Sequence, residues 1–313
     1  MAEYDIPAYF TAFIADYFGE RGAAWLAALP DQLAHYARAW ELDLLPPFAD
    51  LSFHYVAPVL RVDGSAAVLK LGVPEEESRT GIAYLRLCSG NGAVRLLEAD
   101  DERCVLLMEH ASAGIPLTRL EDDDAATAIA AGQMRLLWRP VPATHSFIPL
   151  ARRLGAIARV RELHGHGGGA GPLPEWMLSR AQGLADDLLA SAPYERVLHG
   201  DLHHDNIVSA QRAPWLAIDS KGLVGDPGFE TGALMNNPYG RMETWSAPAR
   251  HFTRRADILA ERLSYPRERI LAWSYTQAVL SACWEVLAGT TRYASWVARA
   301  EMLATLLDRP LVS

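Results

Sequence analysis

Residues 197–208, Val-Leu-His-Gly-Asp-Leu-His-His-Asp-Asn-Ile-Val, place three histidines, two aspartates and an asparagine within eight consecutive positions, between two apolar pairs. The apolar pairs anchor in a core, so the polar groups between them sit on a loop which that core holds in place. Solvated surface does not account for such a density. A short apolar run, Trp215-Leu216-Ala217-Ile218, follows and ends on Asp219. A carboxylate at the end of a buried strand projects from a rigid base toward whatever the preceding loop holds. The next stretch, Lys221-Gly222-Leu223-Val224-Gly225-Asp226-Pro227, reads as a turn-rich loop. The rest of the chain has to supply a core that carries this loop and this acid together.

Upstream, residues 55–62 and 66–71 are apolar and rich in β-branched side chains around Asp63-Gly64-Ser65, a pattern that predicts a hairpin. Residues 75–87 read as a helix with Pro74 near its first turn, and residues 93–100 and 104–108 as two further strands. A small sheet with one inserted helix results. Before it, Trp25, Leu26, Leu29, Leu33, Tyr36 and Trp40 recur as one apolar face of a helix that Leu45-Pro46-Pro47-Phe48 stops. After it the character is mainly helical. Asp122, Asp123 and Asp124 suit the start of a helix reaching about Trp138. Further helices are predicted at 146–163, 174–190, 248–263 and 267–307. A glycine-rich connector at 164–172 carries His164 and His166, whose spacing suits a metal but which have no third ligand nearby.

At 313 residues the chain exceeds one ordinary core and suits two lobes. Its 38 acidic against 29 basic side chains, a net charge of −9, disfavour a nucleic-acid partner and accord with a cationic ligand. No apolar run approaches the roughly 20 residues of a membrane helix, so no membrane partner is expected. Three scattered cysteines fit neither a disulfide framework nor a zinc spacing, and the opening Met-Ala-Glu-Tyr-Asp lacks a secretory layout. A cytoplasmic protein is expected; the oligomeric state is not legible.

The polar groups have the logic of phosphoryl transfer. Asp201 can accept a proton from an attacking hydroxyl. Asn206, five residues on, and Asp219, thirteen further, offer a neutral and an anionic oxygen of the kind Mg²⁺ takes. Lys70, at the end of a predicted strand, can bring positive charge to nucleotide phosphates. These residues come from both lobes, and a cleft between lobes is a natural ligand site.

The stretch His199-Gly200-Asp201-Leu202-His203-His204-Asp205-Asn206 with Ile218-Asp219 resembles the catalytic core of aminoglycoside phosphotransferases. Residues 215–227 and 90–99 resemble their streptomycin 6-phosphotransferase and hydroxyurea kinase branch. The resemblance runs from about residue 47 to the C-terminus. It implies an α+β, bilobal protein-kinase-like fold: a helical extension at 1–46, a small β-rich N-lobe at 47–110 with one key helix, and a larger, mostly helical C-lobe at 111–313. It further implies ATP and Mg²⁺, with Asp201 as catalytic base, Asn206 and Asp219 as metal ligands, and Lys70 on the α- and β-phosphates. His199 would brace the catalytic loop. The main chain from Glu109 to Ala111 would take adenine, and Ser52 in the glycine-poor loop 49–55 would help cover the phosphates. Two positions depart from the family pattern. Gly81 stands where an acid pairing the lysine is expected, leaving Glu77 one turn earlier as its substitute, and Ser220-Lys221 follows the metal aspartate, with Lys221 expected to face solvent and, as the alternative, to tune phosphate binding.

The implied reaction phosphorylates a hydroxyl of a cationic sugar such as streptomycin, an antibiotic-resistance activity. Asp226, Glu230, Asn236, Asn237, Glu243 and Glu285 are candidate acceptor-binding groups, with Trp273, Trp284 and Tyr239 as flat walls. Another small alcohol, amino sugar or hydroxyurea-like metabolite is an alternative acceptor. Two other classes stay open: a metal-dependent phosphoesterase using His199, Asp201, His203, His204 and Asp205 as ligands, and a non-catalytic kinase-like binding protein.

Overall fold

Alternation along residues 54–72 sorts side chains onto two faces, and the folded sheet uses both. The computed structural model describes residues 4–165, 171–240 and 244–308. In it, strands β1 (Leu42–Leu44), β2 (His54–Arg61), β3 (Ala66–Gly72), β4 (Leu96–Asp100) and β5 (Val105–Glu109) form an antiparallel sheet in the order β1-β2-β3-β5-β4. Tyr55, Ala57, Val59, Ala67, Leu69, Leu71, Val105 and Leu107 share one core with Phe10, Ile14, Trp25, Leu29, Leu33 and Tyr36 of helix α1 (Ala8–Ala39). The helical stripe read in the first forty-five residues is therefore the cover of this sheet. The opposite face turns Leu106 and Met108 toward Ile82 and Leu85 of α2 (Glu76–Cys88). Lys70 lies between Leu69 and Leu71, so its side chain leaves on this second face, toward the helical lobe.

That lobe contains α3 (Asp123–Leu137), α4 (Leu150–Gly165), α5 (Glu175–Ala190), α6 (Phe229–Met235), α7 (Pro248–Leu263), α8 (Arg267–Leu287) and α9 (Tyr293–Leu307). Asp122 caps α3, its Oδ1 accepting the Ala125 N–H at 3.0 Å. Helix α8 is buried on every side from Ile270 to Cys283 and packs against α4, α5, α6, α7 and α9, as a helix with no polar face must. Short strands β6 (Ile148–Pro149), β7 (Arg196–Leu198) and β10 (Leu223–Gly225) make a second sheet in the order β6-β10-β7. Strands β8 (Ile207–Ser209) and β9 (Trp215–Ala217) form a hairpin, and Ala217 also bridges to Ala93.

Four expectations change. The segment 1–45 is not one straight helix: its backbone breaks at Gly19 (φ 57°, ψ −134°), and β1 follows it. The helix expected at 146–163 starts only at Leu150, after β6. The long helix expected at 267–307 is two, α8 and α9, parted near Gly289 at positive φ. The loop expected at 221–227 contains β10, because Leu223 and Val224 find strand partners in β7 and β6, both distant in sequence. Within the connector, residues 166–170 lie outside the described residues, and with them His166. The three cysteines are buried free thiols, and no described helix is long and apolar enough to cross a membrane.

Candidate active site

Strands β7 and β8 clamp the two ends of residues 199–206. His199 is fully buried; its Nε2–H donates to the Ile218 carbonyl at 2.8 Å and its Nδ1 accepts the Asp201 N–H at 3.3 Å. Burial lowers its pKa to about 4, so the ring is neutral and serves as a two-ended tie between the loop and the residue before Asp219. The Asn206 side-chain amide donates to the Asp201 carbonyl at 2.9 Å, and the Ile218 N–H donates to the Asn206 carbonyl at 3.0 Å. These bonds carry Asp201, Asn206 and Asp219 on one frame. Asp201 is about one-third exposed, and His203 Nε2 stands 3.9 Å from its carboxylate.

Asp219 adopts the left-handed backbone region (φ 58°), where aspartate is tolerated but uncommon. Its Oδ1 accepts from the Lys70 ammonium across the cleft, and its Oδ2 lies 3.2 Å from Lys221 Nζ. Desolvation pushes the carboxyl up, yet Lys70 and Lys221 together hold it well below the usual carboxylate range. Lys221 is largely buried rather than facing solvent. Burial opposes its charge, but the carboxylates, Asp219 foremost, keep its pKa above the ordinary lysine value.

Glu77 does not take Lys70 either. It pairs with Arg153 of α4, and its other oxygen is 3.8 Å from Lys221. The place of the absent acid is sterically closed: a Cβ on Gly81 would come within 2.3 Å of the Ser220 carbonyl oxygen. Gly222 mirrors this contact, its missing Cβ leaving room for the Thr80 carbonyl at 2.3 Å. Thr80 Oγ1 donates to the Lys221 carbonyl at 2.6 Å and Ser220 Oγ to the Gly81 carbonyl at 3.2 Å. Helix α2 is thus seated directly on the backbone that carries Asp219.

Lys70, Asp201, Asp219, Lys221, Glu77, Ser52 and Arg153 line one cavity of about 490 Å³ between the lobes, with Tyr17, Phe53 and Trp284 among its walls. Partial burial, then Glu75, Glu77 and Glu285, raise the Tyr17 hydroxyl pKa. Glu109 and Ala111 lie where β5 leaves the sheet. The Glu109 carboxylate is committed to Arg212 at 2.9 Å and to the Arg95 N–H at 3.0 Å, so a ligand there would meet main chain.

The donor set suits Mg²⁺. The Asn206 amide nitrogen is spent on the Asp201 carbonyl, which leaves its side-chain oxygen as the kind of neutral donor a hard cation takes together with a carboxylate such as Asp219, although Asn206 is not among the residues lining the cavity. A histidine-rich hydrolase centre fails on this geometry. Both His199 nitrogens are already bonded, and among the described residues no three His, Cys, Asp or Glu side chains group to hold a metal.

Four of the acceptor-binding candidates, Asp226, Glu230, Asn236 and Trp273, are core, and others are taken up by neighbouring side chains. Asp226 is buried between Arg269, the Trp273 indole N–H (2.6 Å) and the Gly228 N–H. Trp273 is therefore no exposed wall. Asn236 is buried, donating to the Gly232 and Ser274 carbonyls. Asn237 donates to the Ala233 carbonyl, Tyr239 lies against Arg299 and Trp296, and Glu285 pairs with Arg292 at 3.0 Å. Glu243 lies outside the described residues. Trp284 alone of this set lines the cleft, with the Arg153 guanidinium 4.6 Å above its ring. Sequence reading missed Arg153, and it put Lys221 in solvent; neither has a local pattern that reveals its partner.

Glu230 is buried and accepts the Gly200 N–H at 2.7 Å, holding the 199–206 loop from within the core. Burial raises its pKa to about 8, from an ordinary 4.5. Between those two values the folded protein keeps a proton that the unfolded chain releases, so stability falls as pH rises through this window and levels above it. Glu230→Gln retains a carbonyl acceptor for Gly200 and should abolish this slope. Thermal melts of both proteins from pH 5 to about 8.5 check it; parallel curves would refute the assignment.

A solved choline/ethanolamine kinase family protein from Mesorhizobium loti superposes with a TM-score of 0.63 at 13% identity, covering 90% of this chain and 95% of that one. Aminoglycoside phosphotransferase APH(4)-Ia, as a thermostable mutant, gives 0.56 at 14% identity, covering 85% and 96%. The fold is the bilobal protein-kinase-like one. Residues 47–289 match the family described as aminoglycoside/hydroxyurea antibiotic resistance kinase, and the chain belongs to that family. Relatives include streptomycin 6-kinase of Streptomyces griseus, 37% identical over 91% of this chain and 92% of that protein. Hydroxyurea phosphotransferase of Kitasatospora aureofaciens is 36% identical over 90% and 80%.

Proposed function

We propose that this protein transfers the γ-phosphoryl group of ATP, with Mg²⁺, to a hydroxyl of a streptomycin-like aminoglycoside in the cytoplasm. The observation that supports it best is the meeting of Lys70 and Asp219 across a cleft into which Asp201 also opens. In this reading Asp201 takes the proton of the acceptor hydroxyl as its oxygen attacks the γ-phosphorus, and the bond to the β-phosphate oxygen breaks to release ADP. Lys70 leaves Asp219 for the α- and β-phosphates, while Ser52 and the main chain of 109–111 seat the remainder of the nucleotide. Asn206 and Asp219 hold the metal, which when bound neutralises charge on the phosphates. Residues 47–110 then act as the nucleotide lobe, and residues 111–313 carry the loop and the acceptor side.

Because Asp226 and Glu230 are closed off in the core, the acceptor is assigned to the cleft mouth, where Glu75 can meet a cationic group and Trp284 and Tyr17 offer flat apolar surface. The test is incubation with Mg-ATP and a panel of streptomycin, other aminoglycosides and hydroxyurea, read by mass spectrometry. A phosphorylated aminoglycoside is the expected product. Phosphorylated hydroxyurea alone would move the acceptor class, and no product from any of them would refute the reading.

A further inference from the structure

Lys221 is held at four points. Its N–H donates to the His199 carbonyl at 2.7 Å, its carbonyl accepts from Thr80 Oγ1 at 2.6 Å, and its ammonium sits 3.2 Å from Asp219 Oδ2 and 3.8 Å from Glu77 Oε1. Its Cβ lies 3.2 Å from where a side chain on Gly200 would begin, so its stem enters the cleft directly beside Asp201. A lysine whose only task is solubility is not anchored in this way. It would wave from the surface, and this side chain is only 16% exposed.

Lys221 shares both of its carboxylates: Glu77 also pairs with Arg153, and Asp219 with Lys70. Once Asp219 is engaged by a metal and Lys70 by phosphates, Lys221 is a fixed cation between Asp219 and Asp201. The group arriving there is anionic and approaches the Asp201 carboxylate, and a cation fixed beside that carboxylate offsets their repulsion. A positive charge placed in advance at the reacting group is the arrangement that lowers a barrier most, because nothing has to reorganise as charge shifts.

We propose that Lys221 is a second phosphate-directed cation, aimed at the γ-phosphoryl group, whereas Lys70 serves the α- and β-phosphates. This rests on the phosphotransferase reading above and goes beyond it by dividing the phosphates between two lysines. The division makes the test independent of the acceptor: a γ-directed charge matters for a triphosphate and not for ADP.

The full chain and its Lys221→Met variant are titrated calorimetrically with Mg-ADP and with Mg and a non-hydrolysable ATP analogue, and phosphotransfer is followed by ADP release. The variant should lose about tenfold or more in affinity for the analogue and stay within about threefold for ADP, with kcat down by about 10²–10³-fold. Lys221→Arg should recover part of that kcat. Should the methionine variant fail to fold, Lys221→Gln, which keeps a donor for Asp219 without the charge, carries the same comparison. Equal losses for both nucleotides, or no loss for either, would overturn the proposal and leave Lys221 a positioning residue. Wild-type protein that binds neither nucleotide would overturn the phosphotransferase reading itself, and this proposal with it.

Discussion

Asp201→Asn is expected to lower kcat by about 10³-fold while nucleotide affinity stays within about threefold of wild type. Asparagine has the shape of aspartate but cannot take the acceptor proton. The loop should keep its form, because its ties run through other atoms: the Asn206 amide reaches the Asp201 main-chain carbonyl, and the Asp201 N–H reaches His199 Nδ1. Binding is therefore expected to survive the loss of chemistry. Calorimetric titration with the ATP analogue, set beside single-turnover phosphotransfer, separates the two. A variant with wild-type turnover would move the base to another group, with His203, 3.9 Å away, as the candidate. No turnover by either form would instead favour a kinase-like binding protein.

Asp219→Ala should be broader in effect, costing about 10³-fold or more in kcat/KM and removing the dependence of nucleotide affinity on Mg²⁺. Asp219 is the anion shared by Lys70 and Lys221, so its loss leaves two ammonium groups facing each other with no carboxylate between them. Stability is expected to fall as well as activity. The carboxyl is held well below its ordinary range, so its contribution is complete at neutral pH and disappears only as strong acid protonates the folded state. The gap in melting temperature between wild type and variant should accordingly be level above about pH 5 and close below it. Unchanged magnesium dependence of nucleotide binding would count against the metal role, and a gap that opened toward acid would count against the ion pairs.

Much of this architecture was legible because it is written in local patterns. The hairpin at residues 54–72, helix α2 and the cap of α3 follow from β-branched apolar runs around an Asp-Gly turn, a proline near the first helical turn and an aspartate start. The catalytic loop was legible for a related reason: apolar pairs at both ends of a polar run state where the chain is pinned and what it presents. The errors have a common cause. Strand β10 was missed since its partners, β6 and β7, lie far away in the chain, and a three-residue strand carries no period of its own.

The acids chosen for the acceptor failed in the same way. Asp226, Glu230 and Asn236 look available in sequence, but each satisfies a buried donor or acceptor in the helical lobe. Burial of a polar group depends on whether a partner reaches it, and partners are set by packing.

Local pattern in the chain supplies the inventory: a two-faced sheet delivering Lys70, a clamped loop delivering Asp201 and Asn206, and a strand ending on Asp219. Those depend on short-range periodicity and on which residues can be buried. Only the tertiary structure decided the pairing: that Asp219 holds two lysines, that Lys221 faces inward, and that Glu77 answers to Arg153. Lys70 and Asp219 are 149 residues apart, and Glu77 and Arg153 are 76. Electrostatic partnership depends on distance in space, and the seating of α2 through Gly81 and Gly222 on the Asp219 loop sets those distances.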